Sequence, residues 1–416
     1  MQPQPLKVMV AVGARPNYMK AAPLIRALTG PSTAVETGRP PIELTVTHTG
    51  QHYEDGLSRT LFEELSLPAA DVNLNVGSGP HGRQTGLILQ RFEPVLEEQW
   101  PDVLVVAGDV NSTLACALVA AKSWRRLPGG GWKRPRIAHI EAGLRSFDPT
   151  MPEETNRRLT DALSDDLLIH SPEARGNLLR EGVREDDILE VGNLMIDTLD
   201  RLLPLARRSD IFVRLGLRLG GAPEEGKPYA LLTLHRPSNV DDPELFKRLL
   251  RGAARISPDL EIIFPMHPRV RKAAPKILEA LHRERAGPLA PIRLIEPLGY
   301  LDFIALMDRA ALVLTDSGGV QEETTALGVP CLTLRENTER PVTVTMGTNT
   351  LAGIEEERIV QEGRRSFFSQ TESSAIGARQ ASSPIWRMTV EDSPGSARIS
   401  RTDGRRIWSR LRSSFL

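Results

Sequence analysis

Short apolar runs alternate along this chain with longer stretches in which apolar residues recur every three or four positions. The runs Leu6 to Val12, Ile42 to His48, Val103 to Ala107, Arg136 to Ile140, Leu167 to His170 and Ile188 to Val191 read as buried strands, with a weaker one from Asp71 to Val76. Helical periodicity fills the gaps at Tyr18 to Leu28, Gly82 to Trp100 (with Pro94 as a possible kink) and Ser112 to Lys122, and again from Pro152, where acids occupy the first turn. After Gly192 the alternation starts afresh, with strands predicted at Tyr229 to Leu234, Glu261 to Met266, Ile292 to Ile295, Ala310 to Leu314 and Val329 to Leu334. Strands and helices at this spacing predict an α/β fold with parallel, doubly wound sheets, built as two Rossmann-like domains. The expected divisions are 1–192, 193–363 and a tail, 364–416, whose Ser- and Arg-rich composition predicts loss of helical order and partial disorder. The stretch 128–135, rich in Gly, Pro and basic residues, is expected to be an exposed insertion.

Polar residues gather where predicted strands end. Arg15, Gln51, His52, Asp109, Glu141, His235, His267 and Ser317 all lie at or just past the carboxyl end of a strand, the edge at which open α/β sheets bind ligands. The second-half stretch Asp316-Ser317-Gly318-Gly319-Val320-Gln321-Glu322-Glu323 turns a strand into a helix through two glycines. Such a turn leaves backbone N–H groups unpaired beside a dipole worth roughly +0.5 charge, which suits a diphosphate. Glu323, a turn further on, could take a ribose diol. In the first half, Arg15 and Lys20 put basic charge at a helix start, where an anion would relieve it, and Asp109, Glu141, Glu153 and Glu154 form an acidic edge.

Composition narrows the classes. The 416 residues are enough for two domains, and a net charge of −1 argues against nucleic acid as the main partner. No apolar run is long enough to span a membrane. The two cysteines, Cys116 and Cys331, sit in apolar runs, which suits a reducing cytoplasm. No G-x-G-x-x-G follows the first strand, and no P-loop, zinc spacing or D-x-D cluster is present, so nicotinamide, P-loop and metal chemistry are disfavoured.

The motifs Gly13-Ala14-Arg15-Pro16 with Lys20, Thr49-Gly50-Gln51-His52, Gly108-Asp109, His139-Ile140-Glu141-Ala142-Gly143-Leu144-Arg145, Pro152-Glu153-Glu154-Thr155-Asn156-Arg157, His235-Arg236, His267-Pro268, Asp316 to Glu323 and Thr338-Glu339-Arg340-Pro341 occur in an order that resembles the non-hydrolysing UDP-N-acetylglucosamine 2-epimerases, over roughly residues 6–355. The resemblance implies a GT-B-type architecture with two domains facing a cleft, a cytoplasmic homodimer, and interconversion of UDP-GlcNAc and UDP-ManNAc for surface polysaccharide precursors. It implies no cofactor and no metal. UDP would leave C1 as the C2 proton is removed, giving a 2-acetamidoglucal, and re-addition would complete the inversion. By this resemblance Asp109, Glu141, Glu153 and His235 are the catalytic group, with the C2 base undecided among the carboxylates. Arg15, Lys20, His267, Ser317, Gly318, Gly319, Glu323 and Arg340 would bind substrate, and Gln51 and His52 match a segment that binds a second UDP-GlcNAc as activator.

The match departs from the common family pattern at Ala14, at Asn17-Tyr18, at Tyr53-Glu54-Asp55 and at Pro237-Ser238-Asn239. These departures keep open a related UDP-sugar, such as a 2,3-diacetamido-glucuronic acid, as substrate. A GT-B glycosyltransferase and a nucleotide-sugar-binding regulator are the alternatives from other classes.

Overall fold

A computed structural model describes residues 4–29, 41–50, 64–65, 67–217, 227–284 and 288–375; the side chains of Arg15, Pro16 and residues 370–375 fall outside that description. Two compact units divide after Thr198.

The first unit is built on a seven-stranded sheet of order β3-β2-β1-β4-β7-β8-β9, formed by Leu6–Val12 (β1), Ile42–His48 (β2), Val72–Asn73 (β3), Val103–Ala107 (β4), Arg136–Ile140 (β7), Asp166–Ile169 (β8) and Ile188–Glu190 (β9). Each paired register in it is parallel, as in Val8↔Val103 and Val103↔Arg136. A β4 buried along its whole length is the expected signature of a strand covered on both faces. Helices Arg15–Thr29 (α1), His81–Gln99 (α2), Asn111–Lys122 (α3), Pro152–Leu163 (α4) and Pro172–Arg180 (α5) supply that cover. Ile88, Phe92 and Leu96 of α2, at four-residue spacing, pack with Leu104, Val106 and Ala117 in one core, and Pro94 sits inside α2 without ending it. The insertion forms a small antiparallel hairpin, Arg125–Arg126 (β5) with Trp132–Lys133 (β6), in which Trp132 is 65% exposed.

The second unit carries a six-stranded parallel sheet of order β12-β11-β10-β13-β14-β15, from Tyr229–Thr233 (β10), Glu261–Pro265 (β11), Ile292–Ile295 (β12), Leu312–Thr315 (β13), Cys331–Thr333 (β14) and Asn349–Leu351 (β15). Its strand order reverses between β10 and β13, as the first reverses between β1 and β4. Those are the topological switch points of doubly wound sheets. Helix Pro243–Ala254 shows how local sequence sets its elements. Asp242 caps it by accepting from Glu244 N at 2.9 Å, Pro243 takes the first helical position, and Phe246, Leu249, Leu250 and Ala253 turn a continuous stripe inward.

Composition past Arg364 predicts loss of helical order, and packing overrides it. Helical order does not stop at Arg364: helix Glu356–Ala375 continues through it, with Phe367 3% exposed in the core and Arg364 donating to Ile256 O. Its inner stripe, Ile359, Gly363 and Phe367, lies on Pro243–Ala254, flanked by pairs of Arg251 with Glu356 and Arg255 with Glu357. Among the described residues no helix is long and apolar enough to cross a membrane.

Candidate active site

In the first unit the chemistry collects just past β1, β4 and β7. Gly108 follows β4 with φ +69°, and a Cβ there would meet Lys20 Nζ at 2.8 Å and Glu141 Oε2 at 3.4 Å. Only glycine lets the backbone pass this close to the charged pair. Lys20, on α1, donates from Nζ to Glu141 Oε2, and each side chain is only 7% exposed. Glu141 leaves β7 in the left-handed region, φ +70°, with its N–H donating to Leu168 O. Beside the pair is a small pocket lined by Lys20, Ile140, Glu141, His170, Asn193 and Leu194.

Asp109 is held by Arg157, whose Nε and Nη2 both donate to Oδ2, at 3.0 and 2.6 Å. Its Oδ1 has no hydrogen-bond partner among the described residues. Arg157 also donates from Nη1 to Glu154 at 2.7 Å. Glu154 further accepts from Ser146 N, Ser146 Oγ and Phe147 N. Burial alone would raise its pKa, but these donors and the Arg157 charge bring it below the ordinary carboxylate value. Glu154 is therefore spent on holding its loop, whereas the neighbouring Glu153 is half-buried with no such bonds among the described residues.

In the second unit the equivalent positions follow β10, β11 and β13. Asp316, fully buried, accepts from the backbone N–H groups of His235 and Arg236 and pairs with His235 Nδ1 at 3.0 Å. Burial would raise its pKa; the His235 charge and hydrogen bond, with the backbone donors, bring it below the usual value. With Nδ1 committed to Asp316, His235 presents Nε2 outward on a side chain 37% exposed. The His267 ring is 5.5 Å away, centroid to centroid. Ser317 caps helix Gly318–Leu327 without spending its hydroxyl on that helix, so the first N–H groups and the hydroxyl are available together. Beneath lie three guanidinium groups and two carboxylates: Arg236 and Arg335 on Glu339, and Arg340 Nε 3.3 Å from Glu322 Oε2. Glu323 is buried and accepts from Tyr300 OH at 2.5 Å. Burial, with the Glu322 charge adding to it and the Tyr300 bond opposing it, pushes its carboxyl up to about 7.

Each unit thus assembles its own part of the candidate set. Lys20, Asp109 and Glu141 stand in the first, with Glu153 in the first turn of α4, and His235, His267, Ser317, Gly318, Gly319, Glu323 and Arg340 in the second. Arg15 opens α1, with its side chain outside the description, and Gln51 and His52 lie outside the described residues. Arg157, Asp316 and Tyr300 were not singled out from sequence. The first two stand inside motifs already quoted, but nothing in the string pairs Arg157 with a carboxylate 48 residues away.

A family model described as UDP-N-acetylglucosamine 2-epimerase matches residues 36–387. The UDP-N-acetylglucosamine 2-epimerase of Methanocaldococcus jannaschii is 43% identical over 86% of this chain and 91% of its own. The UDP-2,3-diacetamido-2,3-dideoxy-D-glucuronate 2-epimerase of Pseudomonas aeruginosa is 37% identical over 91% and 98%. The crystal structure of the M. jannaschii enzyme in complex with UDP-GlcNAc and UDP superposes with a TM-score of 0.76 at 37% identity, covering 98% of this chain and 100% of that one. The Neisseria meningitidis enzyme bound to UDP-GlcNAc gives 0.75 at 28% identity, covering 99% and 100%. The fold is of the GT-B type that these epimerases share. With the motifs in order, a family model over most of the length and relatives at this identity, the chain belongs to the UDP-N-acetylglucosamine 2-epimerase family.

Proposed function

We propose that this protein interconverts UDP-N-acetylglucosamine and UDP-N-acetylmannosamine by eliminating and re-adding UDP. The observation that carries the reading is the pair of strand-end carboxylates, Asp109 and Glu141, each held by its own cation in a chain of this family. The C2 hydrogen of a pyranose has no carbonyl beside it, so plain deprotonation is too costly. Breaking the C1–O bond to UDP as the proton leaves avoids a free carbanion, and positive charge then builds at C1. Asp109, Glu141 and Glu153 form the group that takes the proton, returns it from the other face and faces the charge at C1; such acid–base help is typically worth about 10²–10⁴ in rate. His235 completes the catalytic group; the turn at Ser317, Gly318 and Gly319, with Arg15, Lys20, His267 and Arg340, would hold the departing diphosphate, and Glu323 the ribose. The same reading makes the protein a cytoplasmic homodimer with domains at 1–192 and 193–363, and assigns Gln51 and His52 to an activator segment.

The test is incubation with UDP-GlcNAc alone in D₂O, followed by NMR of the sugar. Deuterium at C2 with UDP-ManNAc appearing is the expected result. Binding without exchange, or turnover only when an acceptor is added, would refute it. A parallel arm with UDP-2,3-diacetamido-glucuronic acid addresses the second reading, which the Pseudomonas relative, matched over nearly its whole length, favours.

A further inference from the structure

We infer that His139 is a positioning residue for both carboxylate-bearing turns of the first unit, and that it works as an imidazolium clamped between Asp161 and the Gly108 carbonyl. His139 is the penultimate residue of β7, and its side chain has no solvent exposure. Its Nδ1 is 2.7 Å from Asp161 Oδ1, and its Nε2 is 2.8 Å from Gly108 O. A backbone carbonyl has no hydrogen to give. Asp161 has none either: its Oδ2 accepts from Arg145 Nη2 at 2.7 Å and from Gly143 N at 3.1 Å, and the buried guanidinium beside it favours the charged carboxylate. A neutral imidazole offers one N–H and one lone pair, so it would set that lone pair against an oxygen at hydrogen-bond distance. Both ring nitrogens must therefore donate. The charge count agrees, because His139 and Arg145 face Asp161 and Glu181, with Arg145 Nη2 at 2.7 Å from the first and 2.6 Å from the second.

The clamp reaches two turns at once. Asp161 Oδ2 also accepts from Gly143 N at 3.1 Å. Gly143 has φ +78°, and a Cβ on it would overlap Ala174 O, so the turn after β7 is held on both sides. Glu141 stands two residues before that anchor. On the other arm, fixing the Gly108 carbonyl fixes the peptide plane that leads into Asp109, since a trans peptide turns as one unit. A single helix, α4, thereby sets the departure angle of both carboxylates, directly for one and through His139 for the other. His139 has no exposed surface and Asp161 is 2% exposed, which makes them positioning residues rather than catalytic ones.

This inference rests on the epimerase reading only where turnover is measured. In ¹⁵N-histidine-labelled wild-type protein, the one histidine ring with slowly exchanging protons on both nitrogens should be His139, identified by its loss in His139→Gln. A single ring N–H, the neutral tautomer, would overturn the proposal, and so would rapid exchange. In the same variant, kcat for C2 exchange should fall on the order of 10²-fold, the cost of misplacing a reacting group by about an ångström. UDP affinity should change less than twofold. Asp161→Asn added to His139→Gln should lower kcat further, because it also removes the charge facing Arg145 and weakens the anchor at Gly143. Unchanged kcat, or kcat and UDP affinity falling together, would refute positioning. Should His139→Gln fail to fold, the wild-type spectrum still decides, since full burial marks His139 by slow exchange. A wild-type protein without C2 exchange would sink the epimerase reading while leaving the imidazolium measurement intact.

Discussion

Binding of UDP-GlcNAc should expel a proton from Glu323 below neutral pH, and the amount follows from the surroundings of that carboxyl. Burial and Glu322 push it up to about 7, against the pull of the Tyr300 hydroxyl. At pH 6 the empty site is then about nine-tenths protonated, and at pH 8 about one-tenth. Two ribose hydroxyls donating to the carboxyl favour its charged form, so the complex at pH 6 is ionised. Calorimetric titration in buffers of different ionisation enthalpy should report release of close to one proton at pH 6 and almost none at pH 8, with affinity rising roughly tenfold between them. The diphosphate of the substrate is esterified at both ends and does not titrate in this window. The difference between wild type and Glu323→Gln isolates the proton that belongs to this carboxyl. Stability carries the same signature. A carboxyl whose folded pKa is raised stabilises the fold fully below its unfolded value, near 4.5, and loses that contribution as the pH rises through about 7. At about 1.4 kcal/mol per unit, the ligand-free protein should lose roughly 3 kcal/mol across that window, and Glu323→Gln should not. Equal proton release by wild type and Glu323→Gln would refute the ribose contact; equal pH dependence of their stabilities would refute the burial argument.

Three further outcomes are expected. Lys20→Met leaves Glu141 buried without its cation and should cost about 3–5 kcal/mol in urea denaturation, most of it recovered in Lys20→Met/Glu141→Gln; additive losses would mean the pair is not coupled. Arg157→Lys keeps the charge but loses the forked grip on Asp109 and the bond to Glu154, so kcat should drop by roughly 10- to 100-fold with UDP affinity unchanged. Phe367→Ala should destabilise the second unit by about 3–5 kcal/mol by thermal melting, and a loss below about 1 kcal/mol would mean that helix Glu356–Ala375 does not pack as described.

Much of the architecture was readable because buried parallel strands are nearly uninterrupted apolar runs. Leu6–Val12, Val103–Ala107 and Arg136–Ile140 lie where the apolar runs put them, as do Ile42–His48 and Ile292–Ile295, although both of these are only partly buried. Edge strand Asn349–Leu351 was missed because three residues, one of them Asn, carry too little signal. The helix past Arg364 was missed because Gly363 stands in its inner stripe and serines crowd its other faces, so tertiary packing overrides a weak period. Motif spacing located Asp109, Glu141, His235 and Ser317, since strand ends are visible in a string. Pairings are not: Lys20 reads as half of an anion site, and its carboxylate partner is 121 residues away. The His139 clamp was hidden for the same reason, being a contact between a strand and a helix face.

The left-handed backbone at Glu141 has an evolutionary consequence. A non-glycine residue there costs on the order of 1–3 kcal/mol, and the chain tolerates it with a long acidic side chain rather than Gly or Asn, which would relax the turn. A descendant of this fold that abandoned turnover would gain stability by drifting there together with Lys20, since losing Glu141 alone would strand a buried ammonium. The residue found there is therefore a marker of whether selection still acts on chemistry, and it can be read in a paralogue before any assay is run.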